Sequence, residues 1–213
     1  MEMTEADYRR AHDAHPQVLI MLDWDKLKFV GNHTYDDFAN LVERAITWCA
    51  RQLSENPKDV SGSNENALTF QFVRSLRDLA FDASLDATVG GHCDLVVRYG
   101  DRYLWLGEAK IYTSYQWLAK GYLQLTTRYS TGEEGADRGG LLIYFKKGDA
   151  PKIMSEWSRQ LGVRKSKRNG AEIKVSASSP PAASITSTQQ HYRSGRDYRV
   201  KHFAVSIVWD PEV

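Results

Sequence analysis

Asp94, Glu108 and Lys110 are the residues whose types and spacing could do chemistry. All three lie between Gly91 and Tyr112, in a stretch that reads as a β-hairpin. Two apolar runs, Leu95–Arg98 and Tyr103–Leu106, flank the turn signal Tyr99-Gly100-Asp101. Asp94 opens the first strand and Glu108 closes the second. Strand side chains alternate, so Glu108 and Lys110 share a face. Such a hairpin gathers two acids and a lysine at the edge of a core, where burial without a partner is costly. A divalent metal held by the carboxylate oxygens, with the lysine beside it, gives that charge a purpose.

Register decides whether the three residues can meet. A two-residue loop pairs Asp94 with Gly107 and turns it to the face opposite Glu108. A three-residue loop at Tyr99–Asp101 pairs Asp94 with Leu106, so that Asp94, Glu108 and Lys110 share one face. Leu95, Val97, Tyr103 and Trp105 then form the other. Apolar residues occur on both faces, and pattern alone does not choose. A metal site requires the three-residue loop or a bulge; the plain alternative is a surface hairpin with solvated charges.

On these residues the chain resembles the PD-(D/E)xK nuclease superfamily, which has the restriction-endonuclease-like fold. Asp94 is followed by Glu108-Ala109-Lys110 at the end of the next strand, and Cys93 stands where the family usually has proline. The resemblance implies an α/β core in the order α-β-β-β-α-β, with a central mixed sheet of about four to five strands flanked by helices. It also implies a Mg2+-dependent phosphodiesterase, with Mn2+ as a substitute. Asp94 and Glu108 would bind the metal, and Lys110 would orient the water or neutralise developing charge. Relatives often carry a Glu on the helix before the hairpin, which makes Glu65 a third metal-shell candidate. Many place a Gln on the helix after it, which selects Gln124. The exonuclease-type branch has Gln and Tyr four residues apart. Here Tyr129 is five from Gln124 and Arg128 holds the fourth place, so that match is partial.

Helices must position these groups. Thr34 and Asp37 form a capping-box-like pair ahead of Phe38, Leu41, Val42, Ala45, Ile46, Cys49 and Leu53 at helical spacing. A second helix starts near Asn64, with Glu65 one turn before Leu68 on its apolar stripe. Glu65 either points inward at the site or is simply favourable at a helix N-terminus. A helix is expected over 114–129, a buried strand over 139–145, and a helix over 151–161 opened by Pro151. Near the start, 4–15 fits a short helix ended by Pro16, and Val18–Leu22 fits a strand or a helical turn. Residues 199–209 fit a strand with Phe203, Val205, Ile207 and Trp209 on one face.

The expected division is an N-terminal helical extension, 1–60, and a nuclease-like domain, 61–213, with a basic flexible loop at 164–190. That loop opens with Arg164, Lys165, Lys167 and Arg168, and residues 176–188 are rich in Ser, Ala, Pro and Thr. The four cations are expected to be exposed and to contact nucleic-acid phosphates.

Net charge is only +1 over 213 residues, so global charge implies no partner. Cys49 and Cys93 have no metal-like spacing and fit a reduced cytosol. Val18–Leu22 is too short an apolar run to span a membrane, so a cytoplasmic protein is expected. The functional expectation is a nuclease, with double-stranded DNA as substrate, acting as a regulated effector in anti-phage defence or restriction. Its partners would be nucleic acid and either further copies of itself or a subunit of a defence complex. The alternative is a nucleic-acid-binding or scaffolding subunit with a weak or silent site. RNA stays open as substrate, since no base-reading motif is visible.

Overall fold

A computed structural model of the chain describes residues 4, 6–7, 10, 14–29, 32–88, 91–166, 168–177 and 184–212. The helices ahead of the hairpin are α1 (Pro16–Phe29), α2 (Tyr35–Glu55), the single turn α3 (Pro57–Val60) and α4 (Glu65–Asp78). Thr34 caps α2 through a complete capping box with Asp37, as its sequence requires. Asn64 caps α4, its side chain accepting from the Ala67 N–H. Pro16 begins α1, because proline's fixed φ and missing N–H suit a first helical turn. Of the short helix expected before it, residues 6, 7, 10 and 14 are helical and Thr4 and His15 are not, while the rest lie outside the described residues.

Strands β1 (Asp82–Thr88), β2 (His92–Tyr99) and β3 (Tyr103–Ile111) follow as an antiparallel meander. Helix α5 (Tyr115–Leu123) runs straight into a π-helical turn, Gln124–Tyr129. Then come β4 (Arg138–Phe145), α6 (Ala150–Gly162), β5 (Lys174–Ala177), β6 (Ser184–Gln190) and β7 (Asp197–Ser206). Strand β4 is parallel to β3 and to β7, while β5 and β6 are antiparallel additions on the far side.

The result is one open mixed sheet of seven strands, ordered β1-β2-β3-β4-β7-β6-β5. This is more than the four to five expected. The stretch 164–190 is also not loop throughout, since it contains β5 and β6. Strand β6 reads Ser-Ile-Thr-Ser-Thr-Gln-Gln and buries Ile185, Ser187 and Gln189 while the alternate residues are more open. Its β-branched residues suit a pleated surface, but its polarity resembles a linker.

Both faces of the sheet are covered. On one, α1, α2 and α4 bring Trp24, Phe38, Ile46 and Phe72 against Val97, Trp105, Leu142 and Phe203. On the other, α5, the π turn and α6 bring Leu118, Tyr122, Leu125 and Trp157 against Val96, Leu106, Ile143 and Val200. Strand β4 is buried along its whole length, as its continuous apolar run requires for a central parallel strand. Among the described residues no helix is long and apolar enough to cross a membrane.

Candidate active site

The hairpin register brings the acids to one face. Strands β2 and β3 pair Tyr99 with Tyr103, Val97 with Trp105 and Leu95 with Gly107. The loop therefore has three residues, Gly100–Arg102, one position later than expected. Continuing that register one step sets Asp94 opposite Glu108, not Leu106. A shift of two in pairing preserves the face, so Asp94 and Glu108 still project together. Their face is that of α5; Ala109 turns the other way into the core beneath α4.

The charges converge at the C-terminal end of β3. Lys110 Nζ lies 2.5 Å from Glu108 Oε1, 2.7 Å from the Ala109 carbonyl oxygen, 3.5 Å from Glu65 Oε1 and 3.9 Å from Asp94 Oδ2. Asp94 Oδ2 accepts from the Ala109 N–H at 2.8 Å, which fixes that carboxylate to the neighbouring strand. Glu65 Oε2 accepts from the Ile111 N–H at 2.8 Å. Of the two meanings open to Glu65, the inward one holds: the first residue of α4 reaches over the end of the sheet.

Burial makes the cluster electrostatically tense. Glu108 is 1% exposed and Lys110 4%. Burial, followed by the charge of Asp94, pushes the Glu108 carboxyl up to about 7. Burial works against the charge of Lys110, but Glu108, Glu65 and Asp94 outweigh it and hold the ammonium above its ordinary value. Among the described residues Glu108 Oε2 is buried with no hydrogen-bond partner. Such an oxygen is costly unless a cation or a proton meets it.

These donors suit a hard divalent cation. Carboxylates from Asp94, Glu108 and Glu65 and one backbone carbonyl form an oxygen-rich set of the kind Mg2+ takes, and Glu108 Oε2 has a coordination position to spare. The Lys110 ammonium stands where these oxygens point. The carboxylates are arranged around it, and among the described residues no three His, Cys, Asp or Glu side chains are gathered tightly enough to cage an ion directly.

Helix α5 closes the site from above. A Cβ at Gly121 would stand 2.8 Å from Lys110 Cγ, so only glycine lets the helix approach the lysine. The Lys110 ammonium lies 5.5 Å from the Trp117 ring centroid. Gln124 Nε2 donates to Tyr129 Oη at 3.1 Å. In an α-helix these residues would diverge. The π turn, with its i→i+5 geometry, returns residues five apart to one face. Thr126 and Thr127 both give their hydroxyls to the carbonyls four residues back, a competition that loosens the helix there. Gln124 and Tyr129 therefore meet despite their five-residue spacing. Burial and then the charge of Glu108 hold the Tyr129 phenol above its ordinary value, which ties it to the same cluster. Sequence reasoning discounted Tyr129 on its five-residue spacing and gave Trp117 no role; the adjacent threonines were the available signal for the first.

The four basic loop residues fare differently. Arg164 is only half-exposed and its Nε is buried without a hydrogen bond among the described residues. Lys165 is exposed and pairs with Glu172 at 3.8 Å. Arg168 lies over the Tyr192 ring, 5.4 Å from its centroid. Lys167 lies outside the described residues. No protein-family model, curated protein or solved structure matches the chain.

Proposed function

We propose that the chain is a metal-dependent phosphodiesterase acting on nucleic acid, with DNA as substrate. The observation behind it is the meeting of Asp94, Glu108, Glu65 and the Ala109 carbonyl around one buried ammonium, with a buried carboxylate oxygen of Glu108 left unpartnered among the described residues. Element order supports it: α4-β1-β2-β3-α5-β4, with β3 and β4 parallel, follows the restriction-endonuclease-like core.

On this proposal Asp94, Glu108, Glu65 and the Ala109 carbonyl hold Mg2+ or Mn2+. The bound metal supplies an acidified water and neutralises charge on the phosphate. The chain's own groups do the rest. Lys110, held between the carboxylates and the Trp117 face, offers its ammonium to negative charge developing on the phosphate oxygens. The Ala109 and Ile111 amides orient Asp94 and Glu65. Tyr129 accepts from Gln124, which leaves its own phenol proton free to donate to a phosphate oxygen or a water.

The test is cleavage of circular DNA, linear DNA and RNA across a Mg2+ and Mn2+ titration, with Glu108→Ala beside wild type. The variant is expected to lose at least 100-fold in rate and to remain folded. Undiminished cleavage by the variant would overturn the assignment. One observation favours a second proposal, a nucleic-acid-binding or scaffolding subunit with a silent site: the ammonium already occupies the space among the carboxylates without an ion. In that case calorimetric titration with Mg2+ gives no binding heat.

A further inference from the structure

An open groove of about 410 Å³ lies along the outer side of α5 and the π turn, facing the chain just after α6. Lys120, Gln124, Thr127 and Arg128 line it from one side and Arg164 from the other. Among the described residues no carboxylate lines it, nor the smaller recess that continues past Arg164 to Lys165, Ser166 and Gln189. Lys120 and Arg128 are exposed, and the Arg164 guanidinium has its Nε buried without a hydrogen bond among the described residues. The rim is basic as well. Tyr192 donates its hydroxyl to the Thr127 carbonyl at 2.9 Å, and Arg168 and Arg193 lie over its ring.

One end of this groove touches the candidate active site. Gln124 lines the groove and holds Tyr129, whose phenol feels Glu108 and Asp94. Cations placed together without carboxylates repel one another, and an anionic ligand relieves that repulsion. An open groove suits a polymer backbone rather than an enclosed small molecule. We propose that the Lys120–Arg128–Arg164 groove holds the sugar-phosphate backbone of the strand leading into the active site, by charge and without reading bases. The inference rests on the nuclease proposal for its direction. It takes in Arg164 from the basic stretch and adds Lys120 and Arg128, which belong to a different element.

Each neutralised phosphate releases condensed counterions, so binding through this groove is salt-dependent. The experiment measures fluorescence anisotropy of a labelled 20-base-pair duplex, with metal chelated, at several salt concentrations. Wild type is compared with Lys120→Ala/Arg128→Ala/Arg164→Ala. A control, Arg51→Ala/Lys58→Ala/Arg74→Ala, removes the same charge from helices across the sheet. The groove variant is expected to bind at least tenfold more weakly, with a log–log salt slope lower by about two to three. The control should keep close to the wild-type slope. Should the Arg164 substitution unfold the protein, Lys120→Ala/Arg128→Ala, at two exposed positions, is expected to lower the slope by about one to two. Equal slopes for wild type and groove variant, or equal losses in groove variant and control, overturn the inference. Steep binding through these residues without Mg2+- or Mn2+-dependent cleavage would uphold the groove and sink the nuclease proposal. Cleavage with an unchanged slope would do the reverse.

Discussion

At the residue scale, Glu108 is held at a cost that a neutral amide would avoid. Its folded value of about 7 lies above its ordinary 4.5 because burial and Asp94 outweigh Lys110. A raised carboxylate contributes stability that is present below the unfolded value and is lost as pH rises toward 7. In metal-free protein at pH 8, Glu108→Gln should therefore raise stability by about 1–3 kcal/mol, read by urea denaturation. A loss of stability would mean that the Lys110 pair dominates. Gln124 and Tyr129 invite a different test, since one holds the other. Gln124→Ala and Tyr129→Phe should each slow cleavage about tenfold to 100-fold, and the double variant little more, as groups acting as a unit do. Full additivity would separate them. Glu108 and Lys110 were legible because strand alternation groups them; Asp94 joined them in only one of two registers, between which the apolar pattern did not choose. Glu65 was legible as one of two alternatives, because the helical stripe gave its face but not what it would meet. Tyr129 was not legible, because helical periodicity assumes 3.6 residues per turn and the π turn breaks it.

At the element scale, helix α2 is tied to β4 by a buried cation. Arg138 is 4% exposed and donates to Asp36, Asn40 and Glu43. Lys201 on β7 also lies 3.7 Å from Glu43. Removing the arginine leaves Glu43 buried with this weaker partner, so Arg138→Ala should destabilise by about 3 kcal/mol. A change under about 1 kcal/mol in thermal or denaturant unfolding would show the network to be no stronger than a surface pair. The helices were legible from caps and stripes: Thr34 with Asp37, and Asn64 ahead of Leu68. Strand β6 was not, because Ser184–Gln190 buries two polar side chains, Ser187 and Gln189, and so lacks the apolar alternation that marks a strand. The hairpin turn, Gly100–Arg102, defeated exact register for a simpler reason: Gly100 takes φ +53°, and sequence does not say which residue bends first.

At the scale of the molecule, pH acts from both directions. His202 is buried between Trp157, whose indole N–H donates to Nδ1 at 3.1 Å, and Ser187, 2.9 Å from Nε2. Nδ1 accepts, so Nε2 bears the proton and the ring is neutral. Burial lowers its value to about 3, against 6.5 for an ordinary histidine. The unfolded chain takes up that proton first, so stability present above pH 6.5 is lost as pH falls toward 3. By pH 4 the loss from this one residue is about 3 kcal/mol. Thermal unfolding followed from pH 7 to pH 4 should show it, and His202→Asn, less stable at pH 7, should show a flatter decline. An unchanged decline would place acid sensitivity elsewhere.

The ammonium of Lys110 has a consequence for how the protein comes into being. It is covalently part of the chain and already stands among the acidic oxygens at the end of β3. The chain thus carries its own counter-ion, and the sheet can close over those acids before any dissolved ion arrives. Maturation and ion uptake become separate events. An incoming divalent ion then has to compete with an internal occupant at very high effective concentration, so the centre responds to how much free ion surrounds it rather than to whether the chain has folded.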